Sequence, residues 1–514
     1  MTAVNPIIPG FAPDPSVVKV GEWYYLVNST FHVFPGLPIY ASKDLVGWRQ
    51  IGNVINRPEQ LSLELTETLL FPQKPPATVL FATGGLYAPT IRHHNGKFYV
   101  VCTNVIRATE TAKDATRNFI VTTDDIWSNK WSDVVYFDFK GIDPSLYFEG
   151  DKAWVCGSAG KGPGTTIDLV EIDVATGEHK SPVKTVWTGS GGIWPEGPHL
   201  FKREGWYYLL IAEGGTHGGH MVTMARSREM WGPYDSCPAN PVLTARDTDE
   251  YIQYTGHCDA FEGENGQWWG TCLGVRKDAE GRYNMGRETF ITPASWTEDG
   301  WLSFERVKVN PTGLERKAGV SRAPSADAQH DIVYIRDADR SKYTVSADGS
   351  KFSLKASEVD LSAPRKSPTF IGKRQRLLDG KSSVTVHNVA SIPSDSVEKV
   401  GLAVYKDELR YFRVFFNPAT KSVHFELVNK GKELSRGAVH KPDNLDGDLT
   451  LQISYTEKAY EIAFKGGSQS EFTILITVDV LDMTDPDFVG PVIGATVVGQ
   501  ASDYAVEFSG FNVE

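Results

Sequence analysis

Asp14 stands between Pro13 and Pro15, just ahead of an alternating apolar run from Val17 to Val27. Proline fixes φ and donates no backbone N–H, so it suits the first residue of a strand rather than its middle. Asp14 is therefore expected at a strand entrance, held rigidly, with its side chain facing a cavity. The same grammar returns at Asp143-Pro144-Ser145 and, altered, at Glu196-Gly197-Pro198. An Asp before Pro often only begins a turn. Recurrence at one repeat position is what marks these acids as a site, because a carboxylate facing a channel carries a desolvation cost. Two carboxylic acids across a pocket can hydrolyse a glycosidic bond. One protonates the leaving oxygen, and the other activates water or attacks the sugar. The proton donor must stay neutral near pH 7, which burial or a neighbouring ionised carboxylate achieves. Glu196 lies in Gly191-Gly-Ile-Trp194-Pro195-Glu196-Gly-Pro198, a rigid apolar setting that favours a neutral carboxyl. This assigns Glu196 as general acid and Asp14 as general base, with the third acid free to tune the others.

The acids must be brought together by repeated elements. The unit is a small or acidic residue, Pro, Ser or Thr, an apolar step, a Gly turn and an aromatic-rich strand. It opens at Asp14, Ala88, Asp143, Glu196 and, more loosely, His257. The turns are Gly21, Asn95-Gly96, Gly150, Glu204-Gly205 and Asn265-Gly266, signatures of tight hairpins. Openings fall roughly 50 to 75 residues apart, room for a four-stranded sheet with loops. Five such sheets arranged radially make a β-propeller, with each opening on the innermost strand. The stretch 53–81, with Pro58, Pro72, Pro75 and Pro76, is expected as an ordered rim loop.

From about residue 337 the pattern changes to short alternating runs such as Leu449-Thr-Leu-Gln-Ile-Ser454, the mark of a β-sandwich. The expected architecture is all-β: a five-bladed propeller over 1–315, a linker over 316–336 and a jelly-roll-like sandwich over 337–514. A chain of 514 residues exceeds one hydrophobic core, in keeping with two domains. The net charge of -12 and the lack of a dense basic cluster argue against a nucleic-acid partner. No run is long enough to cross a bilayer and the N-terminus has no apolar leader, which suggests a cytoplasmic protein or a secreted one whose leader is gone. The five cysteines form no CxxC pair and are expected to be free buried thiols, with a single pair, such as Cys258 with Cys272, as the alternative. Asn28-Ser29-Thr30 matches a glycosylation sequon but lies at a strand end, so coincidence is expected.

Several motifs together resemble glycoside hydrolase family 43, the β-xylosidases and α-L-arabinofuranosidases. They are Asn5-Pro-Ile-Ile-Pro-Gly-Phe-Ala-Pro-Asp14-Pro-Ser, Ser29-Thr-Phe-His-Val-Phe-Pro-Gly36, Gly84-Gly-Leu-Tyr-Ala-Pro-Thr90, Pro195-Glu-Gly-Pro198, Tyr254-Thr-Gly-His257 and Gly286-Arg-Glu288. Phe370-Ile-Gly-Lys-Arg-Gln375 and Gly401-Leu-Ala-Val-Tyr405 resemble the sandwich domain that many members append. The resemblance implies an inverting mechanism with Asp14 as base, Glu196 as acid, and Asp143 tuning and orienting the acid. It implies that Arg287 contacts the terminal sugar, that Phe31 and Tyr87 belong to the substrate pocket, and that His257 faces a calcium ion or water cluster at the channel centre; Trp194, beside Glu196, is a further candidate for substrate contact. Tyr87 stands where many relatives carry Trp, which changes pocket width. No cofactor is implied for the chemistry itself. The stretch 53–81 and Gly214-Gly-Thr-His-Gly-Gly-His220 resemble rim features of arabinofuranosidases acting on arabinoxylan. The expected substrate is therefore arabinoxylan or its oligosaccharides, with β-xylosidase or dual activity as the alternative and a non-catalytic sugar-binding propeller as the remoter one. The sandwich is expected to wall the active site.

Overall fold

Each sequence copy folds as an antiparallel sheet whose first hairpin is the motif itself. The computed structural model describes residues 3–73, 79–107, 115–160, 162–327, 329–442, 445, 447–467 and 469–514. The innermost strands of blades one to five are Ser16–Val20, Gly85–His94, Gly141–Glu149, Glu196–Arg203 and Ile252–Glu262. Each pairs with the following aromatic-rich strand, and two further strands complete each blade. The turns have the backbone their residues imply: Asn95 and Gly96 both have positive φ, as do Glu204 and Gly205, as a type I′ hairpin requires.

Neighbouring blades pack through apolar faces, for example Trp154, Leu169, Leu209 and Tyr234 between blades three and four. Tyr24, Phe261 and Trp269 pack blade five against blade one. The N-terminal segment closes the ring. Ile8 pairs with Thr289, and the Asn5 amide donates to the carbonyls of Ile291 and Lys308 at 2.8 and 2.7 Å.

The repeat shows itself in the backbone. Asp14, Ala88, Asp143, Gly197 and His257 all have positive φ, between 39° and 56°. In blades two to five the inner strand breaks register at or beside this residue. A bulge of this kind re-aims side chains at a strand end. This corrects one expectation. Glu196 is not the equivalent of Asp14 and Asp143; Gly197 is, and Glu196 lies one residue earlier. A β-carbon at 197 would come 2.8 Å from the His257 ring, so the equivalent position has no room for an acid.

Two residues further on, the units converge on the propeller axis. Ser16 Oγ donates to Asp259 at 2.7 Å, and the Arg92 guanidinium bonds Asp259 at 2.9 Å and His199 Nδ1 at 3.1 Å.

The stretch 316–336 lies along the propeller. Ser325–Ala326 adds a parallel strand to the edge of blade one, and Tyr334–Ile335 pairs with Val33–Phe34. The 53–81 stretch holds a two-stranded ribbon, Thr68–Pro72 with Val79–Thr83; Pro75 and Pro76 lie outside the described residues.

The C-terminal domain is a sandwich of a seven-stranded and a six-stranded antiparallel sheet. Strand Leu449–Tyr455 alternates as expected, with Leu449, Leu451, Ile453 and Tyr455 buried in its core. Strand Val397–Asp407 is buried on both faces. Val400, Leu402 and Val404 face the sandwich core, while Ala403 and Tyr405 join Phe11, Phe31 and Val33 of the propeller. The sandwich is thus packed flat against the propeller.

All five cysteines are buried and free. Asn28 is buried, with its amide donating to Pro13 O at 2.8 Å and Thr289 Oγ1 at 2.9 Å, a setting that cannot carry a glycan. No helix among the described residues is long and apolar enough to cross a membrane.

Candidate active site

Asp14, Asp143 and Glu196 meet at one end of the propeller, where the inner strands begin. Asp14 is buried; it accepts from Ser29 Oγ at 2.6 Å, and its Oδ1 lies 3.7 Å from the Arg287 guanidinium and 3.8 Å from His257 Nδ1. Asp143 is buried and accepts the Gly197 N–H at 3.0 Å, which ties it to the residue following Glu196. Glu196 is the most open of the three.

The charges of these groups act on one another. Burial raises the Asp143 carboxyl well above the usual carboxylate range, and the charges of Glu196 and Asp14 add to it. Burial pushes Glu196 up to about 7, with Arg287 opposing and Asp14 reinforcing the rise. The site therefore holds a carboxyl that is substantially protonated at neutral pH, as a general acid requires.

The walls are aromatic. Tyr87 meets Phe31 edge-on at 4.9 Å between centroids. Its hydroxyl donates to Thr83 O at 2.6 Å and accepts from Arg107 at 2.9 Å, and burial raises its pKa to about 12. Phe31 is almost fully buried and stacks between Phe11 and Phe488. Trp194, 37% exposed and with φ of 57°, stands at the mouth on the segment leading into Glu196. Arg287 is buried, with Nη2 donating to the Thr216 hydroxyl.

Sequence reasoning expected the sandwich to wall the site but did not find the residues that do so. Phe488 packs on Phe31 and Tyr87 at 5.7 and 5.8 Å, and the Arg287 guanidinium lies 4.6 Å from its ring centroid. Its neighbour Asp487 is held by Lys406 and Arg410, each at 2.8 Å, all three side chains buried. The Asp487 N–H donates to His217 Nε2 at 3.1 Å, and burial lowers His217 to about 3, which leaves the ring neutral and able to accept. The Gly214–His220 stretch thus joins Arg287 on one side to the sandwich on the other. A signal was available: Asp485-Pro-Asp-Phe488 repeats the Asp-Pro grammar outside the propeller.

The protein oxygens around His257 are too few to cage calcium by themselves. The ion takes about six to eight oxygens. His257 faces one carboxylate, Asp14, and the His199 ring at 6.3 Å. Asp259 behind it is already bound by Ser16 and by the cation of Arg92. Among the described residues no three His, Cys, Asp or Glu side chains gather as metal ligands.

A propeller whose strand entrances bring together three carboxyls, two of them buried, with an aromatic wall and one arginine defines a glycoside-cleaving enzyme. The sequence pattern described as "Glycosyl hydrolases family 43" matches residues 3–302, and "Beta xylosidase C-terminal Concanavalin A-like domain" matches 325–514. A non-reducing end α-L-arabinofuranosidase of Bacteroides ovatus is 32% identical over 99% of this chain and 94% of its own. A xylosidase/arabinosidase of Butyrivibrio fibrisolvens is 29% identical over 100% of this chain and 99% of its own. Among solved structures, one described as Bacteroides ovatus Xyloglucan PUL GH43B superposes with a TM-score of 0.85 at 31% identity, covering 100% of both chains. A xylan β-1,4-xylosidase from Bacillus halodurans gives 0.85 at 27% identity over 99% of both. The chain belongs to glycosyl hydrolases family 43.

Proposed function

We propose that this chain is an exo-acting, inverting glycoside hydrolase that releases terminal α-L-arabinofuranosyl residues from arabinoxylan or its oligosaccharides. Glu196 protonates the leaving oxygen, and Asp14 activates water on the opposite face of the sugar. Asp143 orients the acid through Gly197, while burial and the charge of Asp14 keep the acid protonated. Arg287 and the Phe31–Tyr87–Phe488 wall hold the terminal ring, and Trp194 meets the remainder of the substrate. The observation that carries this reading is the shared field of Asp14, Asp143, Glu196 and Arg287, in which one carboxyl is raised to about 7 beside an anion that accepts a hydroxyl and faces a cation. Arabinose as the sugar rests on the Bacteroides ovatus relative, matched over nearly the full length of both chains.

The second reading is β-D-xylosidase or dual activity, favoured by the Butyrivibrio fibrisolvens relative and the Bacillus halodurans structure. Initial rates on matched aryl α-L-arabinofuranosides and β-D-xylosides, with sugar release from arabinoxylan and from xyloglucan, separate the two. Arabinose release at the higher kcat/KM supports the proposal; exclusive xylose release refutes it. Unchanged activity in Asp14→Ala and Glu196→Ala refutes the assigned site.

A further inference from the structure

Glu213 is fully buried at the end of the second strand of blade four, one residue past the partner of Glu196 in the sheet register. No salt bridge reaches it among the described residues. Its carboxylate accepts the Ser190 N–H at 3.0 Å, the Gly192 N–H at 3.1 Å, the Ser190 hydroxyl at 2.7 Å and the Thr223 hydroxyl at 2.5 Å. These donors belong, Thr223 apart, to the segment that runs directly into Trp194, Pro195 and Glu196. The segment is shaped around the carboxylate. A β-carbon at Gly189 would collide with Glu213 Oε1, and one at Gly192 would come within 3.0 Å of it. The remaining ties of the segment among the described residues are backbone and hydroxyl bonds: Trp194 N–H to Pro163 O at 2.8 Å, Gly214 N–H to Ile193 O at 2.7 Å, and Ser158 Oγ and Thr165 Oγ1 to Pro195 O at 2.7 and 2.9 Å. Among the described residues Glu213 is thus the one side chain that gathers the N-terminal half of the segment, and a buried carboxylate satisfied by backbone donors is a costly device for shape alone.

We propose that Glu213 is a positioning residue for the general acid: it latches the 189–195 segment so that Glu196 meets the leaving oxygen in line. This rests on Glu196 being the acid. The role makes a prediction that a merely structural role does not. Protonation matters most when the leaving group is a poor one, a sugar or alkyl alcohol, and least when it is an acidic phenol. Small misplacement of a reacting group costs up to about 100-fold.

The test is kcat/KM for wild type, Glu213→Ala, Glu213→Gln and Glu196→Ala on two glycosides of the faster-cleaved pentose, one with a dinitrophenyl and one with an alkyl leaving group. Glu213→Ala is expected to lose about tenfold or more on the alkyl glycoside and less than about twofold on the dinitrophenyl one. Glu213→Gln is expected to recover most of that loss, because its amide oxygen still accepts the two N–H groups while its NH2 faces hydroxyls that can turn and accept. If Glu213→Ala does not fold, the Ser190→Ala/Thr223→Val pair removes the two hydroxyl donors and carries the same readout at smaller amplitude. Equal losses on both glycosides, or no loss on either, overturn the inference. Glu196→Ala is the control: if it shows no leaving-group selectivity, the acid assignment falls and this inference with it. Selectivity in Glu196→Ala without selectivity in Glu213→Ala overturns this inference alone.

Discussion

Replacing Arg287 with Gln should move the basic limb of the pH profile upward. After burial, the Arg287 guanidinium is the largest influence on the Glu196 carboxyl, and it pulls the pKa down. Burial and the charge of Asp14 still leave Glu196 near 7. An opposite charge within about 4–6 Å depresses a carboxyl by about one to three pH units. Glu196 keeps some solvent access, so the lower end applies, and removing the cation should raise it by about one pH unit, or about 1.4 kcal/mol. The acid works only when protonated, and kcat/KM against pH reports its pKa in the free enzyme. Activity should therefore begin to fall near pH 7 in the natural chain and near pH 8 in Arg287→Gln. The height of the profile will also drop, because Arg287 holds the sugar, so only the position of the limb is read. The assay is initial rate at substrate well below KM, across about pH 5 to 9. Melting temperature at each pH confirms that the protein stays folded. A limb that stays in place or moves down would refute the electrostatic account of Glu196.

Phe488→Ala should raise KM more than it lowers kcat, with kcat/KM down about tenfold, because the ring walls the pocket without touching reacting atoms; steady-state kinetics checks it, and a purely kcat effect would contradict it. Lys406→Met leaves Asp487 with only one of its two buried cations and should cost about 3 kcal/mol, read by denaturant unfolding, with activity falling because the segment bearing Phe488 is loosened. Exhaustive dialysis against a chelator should leave both the melting temperature and kcat/KM unchanged, since the groups around His257 do not form an oxygen cage.

The propeller was legible because its repeat is written in local chemistry. Turn pairs such as Asn95-Gly96 and Glu204-Gly205 dictate hairpins, and an Asp or Ala ahead of Pro marks the inner strands of the first three blades. The sandwich was legible from period-2 alternation such as Leu449 to Tyr455. The acids could be found because they sit beside these local signals. The offset of Glu196 could not, since it depends on Gly197 being pressed against His257, a contact some 60 residues away in sequence. Phe488 and its anchor Asp487 were missed for the same kind of reason. Their role arises where two separately patterned domains are packed together, and no local periodicity records which loop of one reaches the pocket of the other. The stretch 316–336 reads as polar linker because its two short strands draw their partners from distant parts of the chain. Glu213 looks like any strand-end acid until the glycines opposite are seen to wrap around it.

The most direct measurement is a crystal structure of Glu196→Gln soaked with an arabinofuranosyl-xylo-oligosaccharide. The account predicts the terminal pentose lying between Asp14 and residue 196, with Arg287 on its hydroxyls and the Phe31–Tyr87–Phe488 wall against its face. A sugar bound elsewhere, on the sandwich or at the opposite end of the propeller, with the carboxyl trio untouched, would contradict it.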